Sequence, residues 1–319
     1  EIGVRLVGSE MCIRDRYGKR TLMCVGLLPT TVFLFSSFTY DAFVIALLML
    51  GIALFVTEYL SEEKIQTKRT MVSILAMVVG CFSKAVYIPF LALYWLMPKD
   101  KFYSRRQKNL FKAGIFVLLI LMFASFILPL IGNVTSGAEV GDYRGGDTSQ
   151  TSQLSMILGY PLTYTGVLLK SLGTTFASYF IGSKVLANFA YRGIYDGIGY
   201  FVVLLTMLFT FVTDFGMTEK TYDAQMKRKI LMMKIWNAVL IFGTACLVWT
   251  ALYLDFTPVG SMVINGVSPR YYLPLIFPLS LTFINQKVRC SMKLENYQSL
   301  IAFLMLIGTG ISIYCLMLA

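Results

Sequence analysis

Residues 41–60 read DAFVIALLMLGIALFVTEYL, and residues 61–70, which follow directly, read SEEKIQTKRT. The first stretch carries no charge between Asp41 and Glu58. At about 1.5 Å per residue it spans roughly 30 Å as a helix, the thickness of the hydrocarbon core of a bilayer. The second is a short polar loop holding Lys64, Lys68 and Arg69. The same alternation repeats along the chain. Of 319 residues 57% are hydrophobic and 14% are charged, against about 25% charged in a soluble domain. Too little polar material is present to cover a water-facing surface, so the sequence predicts an all-α, polytopic transmembrane helix bundle.

Hydropathy places candidate spans at residues 21–38, 41–60, 71–82, 86–97, 113–131, 197–213, 234–254, 272–284 and 299–318, about nine crossings in all. Short loops rich in Lys and Arg stay on the cytoplasmic side. Putting the loops at 19–20, 61–70, 98–112, 216–234 and 285–297 inside collects 19 of the 28 basic residues there. Lys84, Arg144, Lys170, Lys184, Arg192 and Arg270 fall outside. The net charge of +11 is therefore an orientation signal toward anionic membrane lipid, and no nucleic-acid partner is implied.

Four regions follow. Residues 1–16, EIGVRLVGSEMCIRDR, lack helical periodicity and resemble the translated end of a sequencing adapter, so native sequence is expected from Tyr17. Residues 17–131 and 197–319 hold transmembrane helices. Residues 132–196 form the one long polar stretch, with an amphipathic part at 161–181. If that part crossed the membrane, the basic cluster at 220–234 would be forced outside. The stretch is therefore read as an external loop module whose amphipathic helix lies on or dips into the interface. Residues 71–97 would cover only about 40 Å as one helix, yet both flanking loops are basic. They must go out and return as two short crossings, turning at Ser83-Lys84-Ala85.

The chain has no His, and its six Cys stand singly, mostly in apolar runs. Neither a metal site nor a disulfide framework is indicated, and the Cys read as small core residues. Chemistry must then rest on carboxylates, Lys, Arg or Tyr. Four polar features gather on the outer side: Asp41, Lys84, the loop with Asp142 and Asp147, and Arg270 in Ser268-Pro269-Arg270-Tyr271-Tyr272-Leu273-Pro274. Ionisable groups near a bilayer are costly and are usually paired or functional. Asp41 reads as a helix N-cap or as the partner of Lys84. Lys84 either snorkels to the headgroups or pairs with Asp41. Arg270 presents a planar fork suited to phosphate, or ties its loop to a carboxylate such as Asp255. Asp142 and Asp147, with Asp196, read as solvated loop residues or as contacts for a divalent cation or a sugar hydroxyl. No other cofactor and no bound metal is called for.

The segments Leu27-Leu28-Pro29, 36–42 (Ser-Ser-Phe-Thr-Tyr-Asp-Ala), 82–89 (Phe-Ser-Lys-Ala-Val-Tyr-Ile-Pro) and 266–275 (Gly-Val-Ser-Pro-Arg-Tyr-Tyr-Leu-Pro-Leu) resemble the DUF2142 family of bacterial multi-pass membrane proteins. That family is similar in turn to the GT-C superfamily of integral-membrane glycosyltransferases, in which an Arg-Tyr-x-x-Pro stretch before a late transmembrane helix recurs. The resemblance implies a GT-C-like enzyme of the bacterial inner membrane. Its partners would be a polyprenyl-phosphate lipid as sugar donor, a cell-envelope glycan or lipid as acceptor, and the surrounding membrane lipids. Arg270, Lys84 and Tyr271 would bind the donor phosphate, with Asp41 supporting Lys84. It also implies that the general base lies in an amino-terminal loop upstream of Tyr17, so the stretch in hand is expected to be inactive alone. Two other functions stay open at this point: a transporter or flippase of lipid-linked glycans, and a non-catalytic envelope-assembly protein.

Overall fold

The structure is a computed structural model that describes residues 18–136, 148–214, 223–284, 288 and 290–317. Residues 1–16 and the loop containing Asp142 and Asp147 lie outside the described residues. The fold is all-α: among the described residues the β pairing is one isolated bridge, Asn188 with Ile194. The helices are α1 (Lys19–Gly26), α2 (Pro29–Ser36), α3 (Tyr40–Leu60), α4 (Thr67–Phe82), a long 3₁₀ helix (Ala85–Leu96), α5 (Arg105–Ser136), α6 (Gln150–Gly159), α7 (Pro161–Phe180), α8 (Ser183–Leu186), α9 (Ile198–Thr213), α10 (Ala224–Phe256), a 3₁₀ turn (Pro269–Tyr272), α11 (Leu273–Thr282) and α12 (Leu294–Met317).

The stretches expected to cross a membrane are largely helical, and among the described residues four helices are long and apolar enough to do so: Tyr40–Leu60, Arg105–Pro129, Ala224–Phe256 and Glu295–Leu316. The first of these is 61% buried and the second 17%, so α3 is the central element and α5 a peripheral one. The expected continuous span at 21–38 is instead two eight-residue helices, α1 and α2. Pro29, at the first position of α2, has no N–H with which to continue α1. Residues 272–284 likewise begin as a 3₁₀ turn and continue as ten helical residues with Pro274 at the entry and Pro278 inside.

Residues 85–96 are 3₁₀ rather than α. Twelve residues at about 2.0 Å rise cover roughly 24 Å, against roughly 18 Å as α-helix. The extra reach suits so short a segment, and Pro89 inside it would disrupt an α-helix by removing a donor and crowding the preceding turn. This helix is wedged among α4, α5 and α10. Tyr87, Ile88, Phe90, Leu91, Leu93 and Tyr94 are fully buried there.

Helix α4 lies against α3 through a close approach at Gly51, whose carbonyl accepts from Ser73 Oγ at 2.5 Å. A Cβ on Gly51 would meet Met77 Cγ at 2.5 Å. Of the cysteines, Cys24 and Cys81 are core residues as expected, whereas Cys315 is exposed on α12. An apolar helix face turned toward lipid accepts a thiol as readily as a core does, which is why the apolar run misassigned it.

The two ends of the bundle differ in charge. At one end the start of α1 pairs with the end of α9, and the loops after α3 and before α5 meet each other and the start of α10. Arg20 Nη1 reaches Asp214 Oδ1 at 2.6 Å, Lys229 Nζ reaches Asp100 Oδ2 at 2.9 Å, and Lys64 Nζ donates to the Asp100 carbonyl at 2.8 Å. Lys101, buried, donates to the carbonyls of Ser61 (2.6 Å) and Glu63 (2.9 Å). Burial holds its ammonium down at about 8. These are loops that the basic-residue rule assigns to one side, and their side chains interlock.

The opposite end is covered by α6 to α8. In α7, Tyr164 hydrogen-bonds Thr250 at 2.5 Å and packs on the Tyr253 ring, while Tyr179 stacks on Trp249. Fifteen residues separate Tyr164 from Tyr179, about 22 Å of helix, yet their partners on α10 lie within about 6 Å of one another along its axis. Helix α7 therefore crosses α10 steeply instead of running beside it as a neighbouring span would.

Candidate functional site

The site is assembled by three chain segments at the end of the bundle remote from the basic loops. Asp41 sits in the first turn of α3. The helix N-cap is Thr39, without a side-chain cap bond, and the Asp41 carboxylate points instead at cations on two other segments. Lys84, in extended backbone between α4 and the 3₁₀ helix, donates from Nζ to Asp41 Oδ1 in a short ion pair. Arg270, in the 3₁₀ turn before α11, brings Nε to 3.4 Å from Asp41 Oδ2. One carboxylate thus faces two basic side chains, a formal charge of +1 on the trio.

Aromatic rings complete the box. Lys84 Nζ stands 4.0 Å from the centroid of Tyr271 and 5.2 Å from that of Tyr40, and the Arg270 guanidinium carbon stands 5.6 Å from Tyr271. Such cation–π contacts add attraction where water is scarce. Tyr87 OH donates to the Tyr271 carbonyl at 2.6 Å and fixes the turn. Trp249 Nε1 donates to Tyr272 OH at 2.5 Å and holds the same turn to α10. The chain enters it through Gly266, at φ +78, where a Cβ would strike the Phe256 ring at 2.3 Å. A positive φ in so tight a place requires glycine.

Burial is graded across the trio. The Asp41 side chain is 6% exposed, Lys84 12% and Arg270 41%. Burial pulls the Lys84 ammonium below the ordinary lysine range, with Asp41 opposing the shift and Arg270 adding to it. Arg270 is raised on balance: burial lowers it, and the Tyr271 side chain and Asp41 outweigh that. Its Nε is buried without a hydrogen-bond partner, so the contact with Asp41 is an electrostatic one without bonding alignment. The guanidinium retains most of its donors and an open face.

Of the residues singled out in the sequence, the structure brings Asp41, Lys84, Arg270 and Tyr271 together. Asp255 takes a hydrogen bond from Gln150 Nε2 at 2.6 Å, and Asp196 is exposed in the loop before α9. Sequence reasoning missed Tyr40 and Tyr87. Tyr40 adjoins Asp41 in the chain, and Tyr87 follows Lys84 by three residues, the spacing at which side chains eclipse in a 3₁₀ helix. That spacing was usable only once the helix type was known. Among the described residues no group of three or more His, Cys, Asp or Glu converges as a metal site would need.

No curated protein matches the chain, and no solved structure does. The profile of DUF2142, described as a predicted membrane protein, matches residues 11–279. That match takes in α1 to α10, the turn bearing Arg270 and most of α11, and with it all four residues of the site. The chain belongs to the DUF2142 family of membrane proteins.

Proposed function

We propose that this protein binds the phosphate of a polyprenyl-phosphate-linked sugar at the Asp41–Lys84–Arg270 trio and serves as the donor-phosphate side of a GT-C-like membrane glycosyltransferase. In this reading the bundle makes about nine crossings of a bacterial inner membrane. The trio faces outward, opposite the basic loops, and the acceptor is a cell-envelope glycan or lipid. The observation that supports it most is the part-open Arg270 guanidinium beside a part-buried Lys84, with one carboxylate between the two basic side chains. A pair of cations fully neutralised by protein would have no charge left for a ligand.

Glycosyl transfer breaks the bond between the anomeric carbon and the donor phosphate oxygen and forms a bond to the acceptor oxygen. The electron pair of the broken bond stays on the phosphate, where fixed cations stabilise it. Arg270 fills that role with Lys84 beside it. Tyr271 carries both cations on its ring, and Asp41 is a positioning residue that keeps the Lys84 ammonium in place. The acceptor proton goes to a carboxylate outside this trio.

The test is a sugar-transfer assay with a polyprenyl-phosphate-linked donor in membranes containing a family member that carries the same Asp, Lys and Arg. Arg270→Ala is expected to reduce transfer by about a hundredfold, the effect of removing one charge-stabilising donor. Activity within about threefold of the parent, under ~0.7 kcal/mol of transition-state stabilisation, removes Arg270 from the mechanism. Donor binding that depends on Arg270 with no transfer at all would instead indicate a carrier of lipid-linked glycans.

A further inference from the structure

One stripe of α5 changes character within a single turn. Lys108, Lys112, Phe116, Ile120, Phe123 and Ile127 recur every three or four residues, so they share a helix face. Toward the outer end of this stripe Trp95, Phe116, Ile120, Phe123, Ile127 and Leu128 line an apolar groove of about 480 Å³, open along one side. Pockets of about 300–1,000 Å³ hold small ligands. From Phe116 to Leu128 the groove runs about 18 Å along the helix, close to the depth of one leaflet, about half of a ~30 Å core.

The mouth of the groove is basic. Lys112 Nζ donates to the carbonyl of Trp95 at 2.8 Å, which holds the ammonium at the groove's inner edge with two of its three protons still available. Lys108 lies one turn below it, and Arg105 about one turn further. Among the described residues none of these three forms an ion pair. An apolar wall alone would take any acyl chain; unneutralised cations one turn beneath it select for negative charge. Basic sites beside transmembrane helices on the cytoplasmic side suit anionic headgroups.

We infer that this groove binds an anionic glycerophospholipid of the leaflet on the basic side, its phosphate at Lys108 and Lys112 and one acyl chain along α5 beside Trp95. The site is separate from the Arg270 trio. Trp95 and Lys84 lie at opposite ends of the long 3₁₀ helix, about 22 Å apart along its axis.

Trp95 supplies the readout. The full chain is placed in phosphatidylcholine nanodiscs containing a small fraction of phosphatidylglycerol or phosphatidylcholine with brominated chains, and the Trp95 contribution is obtained by difference from Trp95→Phe. Brominated phosphatidylglycerol is expected to quench Trp95 with an apparent affinity at least about fivefold above brominated phosphatidylcholine, the preference that one lysine at a membrane surface supplies. The double variant Lys108→Gln/Lys112→Gln should bring the two lipids level. Ala124→Phe, which fills the groove and leaves the cations intact, should weaken quenching by both lipids. Equal quenching by the two lipids in the parent overturns the inference, as does a preference that survives the double variant. Displacement of the lipid by millimolar glycerol phosphate to the same extent in the parent and in Ala124→Phe would show a headgroup site with no role for the groove, and overturns it as well. If the double variant fails to fold, the lipid preference of the parent and the Ala124→Phe result decide.

Discussion

Asp41 meets Arg270 on one edge only: Oδ2 lies 3.4 Å from Nε, within ion-pair range yet not aligned as a hydrogen bond. The same carboxylate is firmly engaged by Lys84 through its other oxygen. Arg270 is therefore steered by Asp41 without being sealed by it, which is the arrangement a ligand-binding guanidinium needs.

This asymmetry predicts unequal costs. Asp41→Asn leaves Lys84 and Arg270 facing each other without a counter-charge. Removing one partner of a fully buried pair costs about 3–5 kcal/mol, and about 2–3 is expected here because Arg270 is partly open to solvent. Arg270→Gln should cost under about 1 kcal/mol, as for an exposed pair. Thermal unfolding in one detergent compares the two, and equal losses would contradict a shared carboxylate.

The depressed ammonium of Lys84 gives the site an alkaline limit. The charged form binds phosphate, so the Lys84 contribution is full below the lowered value and is lost as pH rises through it, sooner than a free lysine near 10.4 would allow. Lys84→Arg, which stays charged throughout, should remove that decline. Affinity for a short-chain prenyl phosphate between about pH 7 and about pH 10 checks this, and superimposable curves would refute it.

The pairing of α9 with α12 depends on two glycines. A Cβ on Gly199 would stand 2.6 Å from the Gly308 carbonyl oxygen and 2.6 Å from Ser312 Oγ, so Gly199→Ala must push the helices apart, at about 1–3 kcal/mol. Gly243 on α10 has nothing within 4 Å of such a Cβ. Gly243→Ala should be neutral or stabilising by up to about 1 kcal/mol, the helix propensity difference. Thermal midpoints of the two variants should move in opposite directions.

The orientation is testable by cysteine labelling. Phe38, near the trio, and Tyr103, in the basic loop before α5, are both well exposed. In a background without native cysteines, a membrane-impermeant maleimide should label Phe38→Cys in intact cells and Tyr103→Cys only after permeabilisation. The reverse pattern would put the trio on the cytoplasmic side and exclude an outward-facing donor site.

Much of this protein follows from its amino-acid order alone. Hydropathy acts residue by residue, so the helices, their approximate ends and the grouping of basic loops at one end are all legible from it. The position of Asp41 and Lys84 at a common end follows from counting crossings, which puts their attraction within reach of sequence reasoning. Their meeting with Arg270 does not. Asp41 and Arg270 are far apart in the chain, and they converge because α11 packs against α3 and because Tyr87 and Trp249 pin the turn at Tyr271 and Tyr272. The break at Pro29, the 3₁₀ course of residues 85–96 and the steep crossing of α7 over α10 were likewise decided by packing. A hydropathy pattern reports how apolar a residue's surroundings must be; which neighbours supply those surroundings is settled only when helices of fixed shape close on one another.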